Sequence, residues 1–500
     1  MVDESTRLYR NLRQCKLDDL LLSIGDVSRG MLKRKKPIET VRVTTRSVGR
    51  LVQHGNVTVA AWDLTDLAYH AIQVTHDFAQ INPSIDDLVA LINDLHDYNN
   101  DPPEDHLGSL PDAQILRAIL VGLSQKQFWY QEVHRIRAEF NRQIELLEVI
   151  PTRVRPFGDF DDICTERTGL DMSGLRVALF GLFALNSAAT DLESALPPRE
   201  LDHIHPVLTC ENLNRVAFYY SADYAEFRGS KFCENHFFGK PIVRTSRNRL
   251  LVPNAYLLLR KLADGPLWIL REHYRAAGSA HFVNEFGRLL ETYVEDMLRI
   301  HLCRDMVLRV PEVQYAKRAD WIIITSSFRI IVELKAAIAG MMIKRMYPSV
   351  PELECLVDRL SMGLLQLDET ERAYPDPSRA TTKFLVHYDS LFVADGLIRP
   401  AAVERRASEL ASTENLFFCD IEEFEWFISV LGQSEQEAES ILDTKITTQH
   451  NPAIGIELHQ VIPQHSTTAN RHNHVHLAHW DNFLPKLHRF SDDSDETRNS

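Results

Sequence analysis

An α+β multidomain chain is predicted, with a mainly helical N-terminal region and an α/β domain in its C-terminal half. Three observations carry that expectation. Apolar residues recur at helical spacing through much of the first two hundred positions. From about residue 214 the pattern shortens to strand-like pieces. A long amphipathic segment, 280–303, is then followed by two β-branched runs on either side of a serine pair. At 500 residues the chain is too long for one compact core. The expected division is a helical region over 1–205, a mixed α/β connector over 206–278, an α/β domain over 279–432, and a polar, histidine-rich, partly disordered tail over 433–500.

In chain order, Asn56–Trp62 (NVTVAAW) reads as a strand, and 85–98 and 113–149 read as helices. Leu175–Ala189 is an apolar helix closed by polar residues and then Pro197-Pro198. Asp101-Pro102-Pro103 and 197–206 have linker composition. Short strands are expected at RVAFYY, from residue 215, and at KPIVRTSRNRLLVP, from residue 240. A helix over NAYLLLRKLADGPLWILREHYRAA follows. The order after residue 303 is strand, strand, helix, strand, helix, ending near 432.

Composition excludes several classes. Hydrophobic residues at 44% and charged residues at 25% are globular proportions. No apolar run reaches the roughly 18 residues of a membrane span, so no membrane role is expected. The start, MVDESTRLYRNLRQCKLDD, carries acids and does not read as a secretory signal. Seven scattered cysteines suit reduced thiols and a cytoplasmic protein. A net charge of −15 argues against coating nucleic acid by bulk electrostatics. It leaves room for an enzyme whose groove alone is positive, and 281–345 holds ten Lys/Arg against eight Asp/Glu.

Chemistry concentrates in Ala319–Ala337, ADWIIITSSFRIIVELKAA. With Ser326 and Ser327 at the centre of a tight turn, Asp320 faces Glu333 across a hairpin. Their Cβ atoms would be about 5 Å apart. Lys335, two residues on, shares that face. The neighbouring positions are apolar on both faces, and burying unpaired charge there costs several kcal/mol unless a metal or ion pair compensates it. Two facing carboxylates suit Mg2+, which takes a few carboxylates, waters and phosphate oxygens.

Asp320, twelve intervening residues and Glu333-Leu334-Lys335 resemble the signature of the PD-(D/E)XK, or restriction-endonuclease-like, nuclease superfamily. The resemblance covers roughly residues 280–430, and Ala319 stands where the motif's name has proline. It implies a helix, a hairpin bearing the acids, a second helix and a further strand. It implies a catalytic set of Asp320, Glu333 and Lys335, with Glu291 on the preceding helix as an additional metal or water ligand. Glu285 and Glu295 compete for that role. Gly287, one turn earlier, would allow close helix–sheet packing. Gln366 resembles the glutamine some subfamilies place beside the lysine. The implied reaction is hydrolysis of a phosphodiester with Mg2+, or Mn2+ in its place, in DNA more often than RNA. By analogy such architectures serve antiphage or mobile-element defence, with the helical region as a sensor or regulatory partner surface. The alternatives are an RNA-cleaving nuclease of the same fold and an inactive scaffold that binds nucleic acid or a partner.

Other candidates read as structural. Lys33-Arg34-Lys35-Lys36, with Arg42, Arg46 and Arg50, could touch phosphates but reads as a solvated basic loop. Cys210, Cys233 and His236 lack a fourth zinc ligand. His472, His474, His476 and His479 have ligand-like spacing in a polar terminus. Phe128–Tyr130 reads as core rather than a base-stacking platform. No Walker loop and no GxGxxG is present.

Overall fold

A computed structural model describes residues 6–43, 46–47, 50–51, 55–75, 79–99, 112–131, 135–154, 158–195, 205–229, 236–276, 281–312, 317–336, 343, 349–391, 394–449, 457–466 and 479–480. The chain is mixed α+β. Its N-terminal half is built mainly of helices, four of which bear on function. These are α1 (Leu17–Lys33), α2 (Arg135–Ile144), α3 (Met172–Ala188) and α4 (Ala255–Ala276). Asp171 starts α3, its carboxylate accepting from the Gly174 N–H at 2.7 Å. Most of α3 is apolar and buried, so it is an interior helix without a wide solvent face.

The C-terminal half is organised by one five-stranded sheet. Its strands are β1 (Val307–Arg309), β2 (Trp321–Ile324), β3 (Phe328–Lys335), β4 (Ala380–His387) and β5 (Leu416–Asp420). The spatial order is β5-β4-β3-β2-β1, with β5, β4 and β3 parallel and β3, β2 and β1 antiparallel. Helix α5 (His281–His301) precedes the sheet. Helix α6 (Val350–Ala373) makes the crossover that a parallel β3–β4 pair requires. Helix α7 (Ile421–Gln433) leaves β5 directly. Asp420 caps it and Glu423 completes a reciprocal capping box, at 2.9 and 3.0 Å.

Strand alternation sorts the side chains onto two faces. Ile322, Ile331, Leu385 and Phe418 pack with Leu356, Leu360 and Leu364 of α6. Trp321, Ile323, Val332, Phe384, Val386 and Phe417 join the core containing α5 and α7. Both faces are covered, which is why these strands are apolar along their length.

Several expectations are corrected. RVAFYY lies mostly in a helix, Cys210–Tyr219, started by the Thr209 hydroxyl and buried through Leu213, Val216 and Ala217. Its i, i+3, i+4 apolar spacing outweighs the β-propensity of Val and Tyr. The strand at NVTVAAW is Gly55–Ala60, and a helix begins at Ala61, where the Asp63 carboxylate accepts from the Ala60 N–H at 3.2 Å. The helix predicted over 113–149 is divided into Asp112–Gln131, α2 and a π-helical turn at Glu145–Val149. Strands β1 and β5 were not foreseen. Part of the predicted tail is folded as α8 (Glu435–Gln449) and α9 (Leu458–His465), which bury Ala438, Ile441, Leu442, Val461 and Ile462. One core extends from Leu8 to Ile462, across the expected boundaries at 205, 278 and 432, and a second, on the α6 side of the sheet, lies mostly within 310–418. Among the described residues no single helix is long and apolar enough to cross a membrane.

Candidate active site

The β2–β3 register places the site. Ile324 pairs with Arg329, Ile323 with Ile330, Ile322 with Ile331, and Trp321 with Val332. One step further, Asp320 and Glu333 come opposite each other, as the serine-centred turn predicts. The turn is held by the Thr325 N–H on the Phe328 carbonyl at 3.0 Å, and by Ser326 Oγ on Glu435 at 2.6 Å. The Asp320 N–H donates to the Val332 carbonyl at 3.0 Å, and Asp320 Oδ2 accepts from the Leu334 N–H at 2.8 Å. The first bond fixes the Asp320 backbone against β3, and the second holds its carboxylate.

Glu333 is 2% exposed. Its Oε1 accepts from Lys335 Nζ at 2.6 Å, while Oε2 is buried without a hydrogen-bond partner. Lys335 Nζ also donates to Gln366 Oε1 at 2.5 Å, and Gln366 Nε2 donates to the Arg318 carbonyl at 3.1 Å. Gln366 therefore ties the lysine to the backbone leading into β2. The Tyr388 N–H on the Lys335 carbonyl, 3.1 Å, fixes the strand end.

Burial pushes the Asp320 carboxyl up to about 6, with the Leu334 N–H opposing and the Glu291 charge adding to the rise. Burial first, and then the Asp320 charge, push Glu333 up to about 8 against the pull of Lys335. Two buried carboxyls thus stand beside one lysine, both holding their protons more tightly than usual.

Helix α5 contributes three acids. Glu291 is the one whose charge is felt by both Asp320 and Glu333. It is held by Arg309 at 2.7 Å, whose guanidinium lies over the Trp321 ring, 4.5 Å from its centroid. Glu295 pairs with Arg299, and Glu285, 2% exposed, pairs with Arg288 at 2.7 Å. Among the described residues no three His, Cys, Asp or Glu side chains converge into a metal cage. Cys233 and His472, His474 and His476 lie outside the described residues, as do the side chains of Phe128 and Trp129. Tyr130 is core, and His479 pairs with Glu145 at 2.7 Å.

The close helix–sheet approach is not at Gly287. A Cβ there would sit 3.7 Å from Ala336 Cβ, an ordinary contact. It is at Gly363 of α6, where a Cβ would lie 2.3 Å from Leu385 Cδ1, 2.9 Å from Lys335 Cε and 3.3 Å from Glu333 Cγ. Gly363→Ala is expected to cost about 1–3 kcal/mol by overpacking, less roughly 1 kcal/mol gained in helix propensity. It should also lower any Lys335-dependent activity. Urea denaturation beside an activity assay checks both. Nothing in a linear pattern marks Arg309, whereas a glycine in mid-helix is the available signal for Gly363.

Compared with protein-family models, curated proteins and solved structures, the chain matches none.

Proposed function

We propose that this protein is a Mg2+-dependent nuclease of the restriction-endonuclease-like kind, hydrolysing phosphodiester bonds, in DNA by preference. The observation that carries the reading is the pair of buried, mutually repelling carboxyls, Asp320 and Glu333, with Glu333 Oε2 unpartnered beside Lys335. The element order of α5, hairpin, α6 and parallel β4 supports it, being the order the motif's resemblance implies.

The donor set fits Mg2+. Asp320 and Glu333 would hold it, with water and substrate phosphate completing the shell. Glu291 could join only by giving up Arg309. When bound, such a cation polarises the phosphoryl group and stabilises the leaving oxygen. The chain supplies the rest. Gln366 fixes Lys335 Nζ where it can orient the attacking water or neutralise phosphate charge. Glu333, whose carboxyl is pushed up to about 8 without metal, must lose its proton to serve as a ligand.

The inactive-scaffold reading has one observation in its favour, since Lys335 already pairs with Glu333 and Arg309 with Glu291. Incubating the purified protein with plasmid DNA and with tRNA, in Mg2+, Mn2+ or EDTA, separates the readings. Metal-dependent cutting of plasmid is expected. Cutting of tRNA alone would reassign the substrate, and intact substrates under every condition would leave the scaffold.

A further inference from the structure

A second site lies away from the carboxylates, in the helical half. A cavity of about 630 Å³ opens between α1, α2, α3, α4 and Trp480. That is a common size for a small-molecule site. In a chain of net charge −15, its lining among the described residues includes Arg29, Lys33, Lys35 and Arg137 and no acidic residue. Lys33 and Lys35 are exposed, while Arg29 and Arg137 are half-buried. Asp26 holds one end of Arg29 at 2.7 Å, but Arg29 Nε is buried and unpartnered.

The inner wall is apolar and aromatic, with Phe180, Phe183 and Trp480 among its rings. Trp480 is seated by its backbone N–H on Asn141 Oδ1, 2.7 Å, and by an edge contact with Phe140. Among the described residues, two polar atoms on this wall lack partners. They are Tyr256 Oη and Asn186 Oδ1, on side chains 1% and 0% exposed. A buried hydroxyl and amide left unpaired are costly, and a ligand with both a donor and an acceptor would satisfy them.

The backbone at the rim is strained. Helix α1 ends with the Lys36 N–H on the Met31 carbonyl and the Lys35 N–H on the Leu32 carbonyl, both at 3.0 Å. That motif favours glycine at the position Lys35 occupies. Lys35 instead adopts φ 54°. A lysine kept in the left-handed region, at the mouth of a basic cavity, points to a use for its ammonium.

We propose that this cavity binds a nucleotide, with the rim cations on its phosphates, the rings against its base, and Tyr256 and Asn186 on the base edge. A fatty acid would suit the wall and the cations but leave Tyr256 and Asn186 unpaired. An inorganic polyphosphate would use the rim and leave the rings empty. The proposal is independent of the nuclease reading.

Isothermal titration of the full chain in EDTA tests binding with cleavage silenced, using ATP, GTP, CTP and UTP as probes, with tripolyphosphate and palmitate as controls. At least one nucleotide should bind one-to-one. Its affinity should fall tenfold or more in Lys33→Ala/Lys35→Ala, and several-fold in Tyr256→Phe. Lys35→Gly should raise the melting temperature while weakening the nucleotide, a divergence that no folding defect produces. No binding of any of the four at millimolar concentration would overturn the proposal. So would tripolyphosphate or palmitate binding as tightly as the best nucleotide, or an affinity indifferent to these variants.

Discussion

Asp320→Asn and Glu333→Gln should each reduce cleavage by roughly 10²–10⁴-fold while making the metal-free protein more stable. The stabilisation follows from linkage. Both carboxyls hold protons more tightly in the folded chain than in the unfolded one, at about 6 against 3.8 for Asp320 and about 8 against 4.5 for Glu333. Their contribution to stability is therefore full below about pH 4. It is lost as pH rises through about 6 for Asp320 and about 8 for Glu333. Above that window the cost is about 3 kcal/mol for Asp320 and about 5 kcal/mol for Glu333. The two are not independent, since the Asp320 charge is part of the burden on Glu333. Thermal melts in EDTA from pH 4 to 9 should show wild-type stability falling with pH and the variants falling less. Mg2+ should restore the wild type alone, with affinity rising over pH 6–8 as protons leave. Lys335→Ala should stop cleavage yet still bind metal, because the lysine is not a ligand. A purely structural ion pair predicts the opposite, with destabilised variants and no response to Mg2+.

Glu425→Gln should cost about 3–5 kcal/mol, the largest loss of stability expected from a single polar change here. Glu425 on α7 is fully buried and accepts from Nε and Nη2 of Arg142 on α2, at 2.6 and 2.7 Å. Tyr293 of α5 donates to it at 2.6 Å. Removing the carboxylate strands a buried guanidinium, and the paired substitution Arg142→Met/Glu425→Leu should recover much of the loss. Urea denaturation of the three variants measures this. Additive destabilisation in the double variant would show that the pair does not act as a unit. The same helix places Arg135 on Asp420 and Glu422, at 2.6 and 3.0 Å, and Gln143 on Tyr388 Oη at 2.5 Å. Helix α2 thus reaches from the cavity wall at Ile136 and Arg137 to the residue whose N–H holds the Lys335 carbonyl.

The sequence by itself determined the hairpin. A two-residue serine turn between β-branched runs leaves one register, and period-two alternation then places Asp320, Glu333 and Lys335 on one face. It also determined the helix before the hairpin, the crossover helix carrying Gln366, and the strand after it, because amphipathic and β-branched patterns are local properties. Tertiary structure alone decided which acid of α5 the site feels. Glu285, Glu291 and Glu295 are alike in sequence, and only the packing of α5 beside Arg309 and Trp321 sets Glu291 apart. It decided that Gly363, not Gly287, is where a helix must lie close to the lysine. It decided that residues 435–449 and 458–465 belong to the core. It assembled the basic cavity from α1, α2, α3, α4 and Trp480, segments up to about 450 positions apart. The physical reason is common to all four. Periodicity reports which face of an element is apolar, whereas the neighbour that covers the face is chosen by close packing among elements remote in the chain.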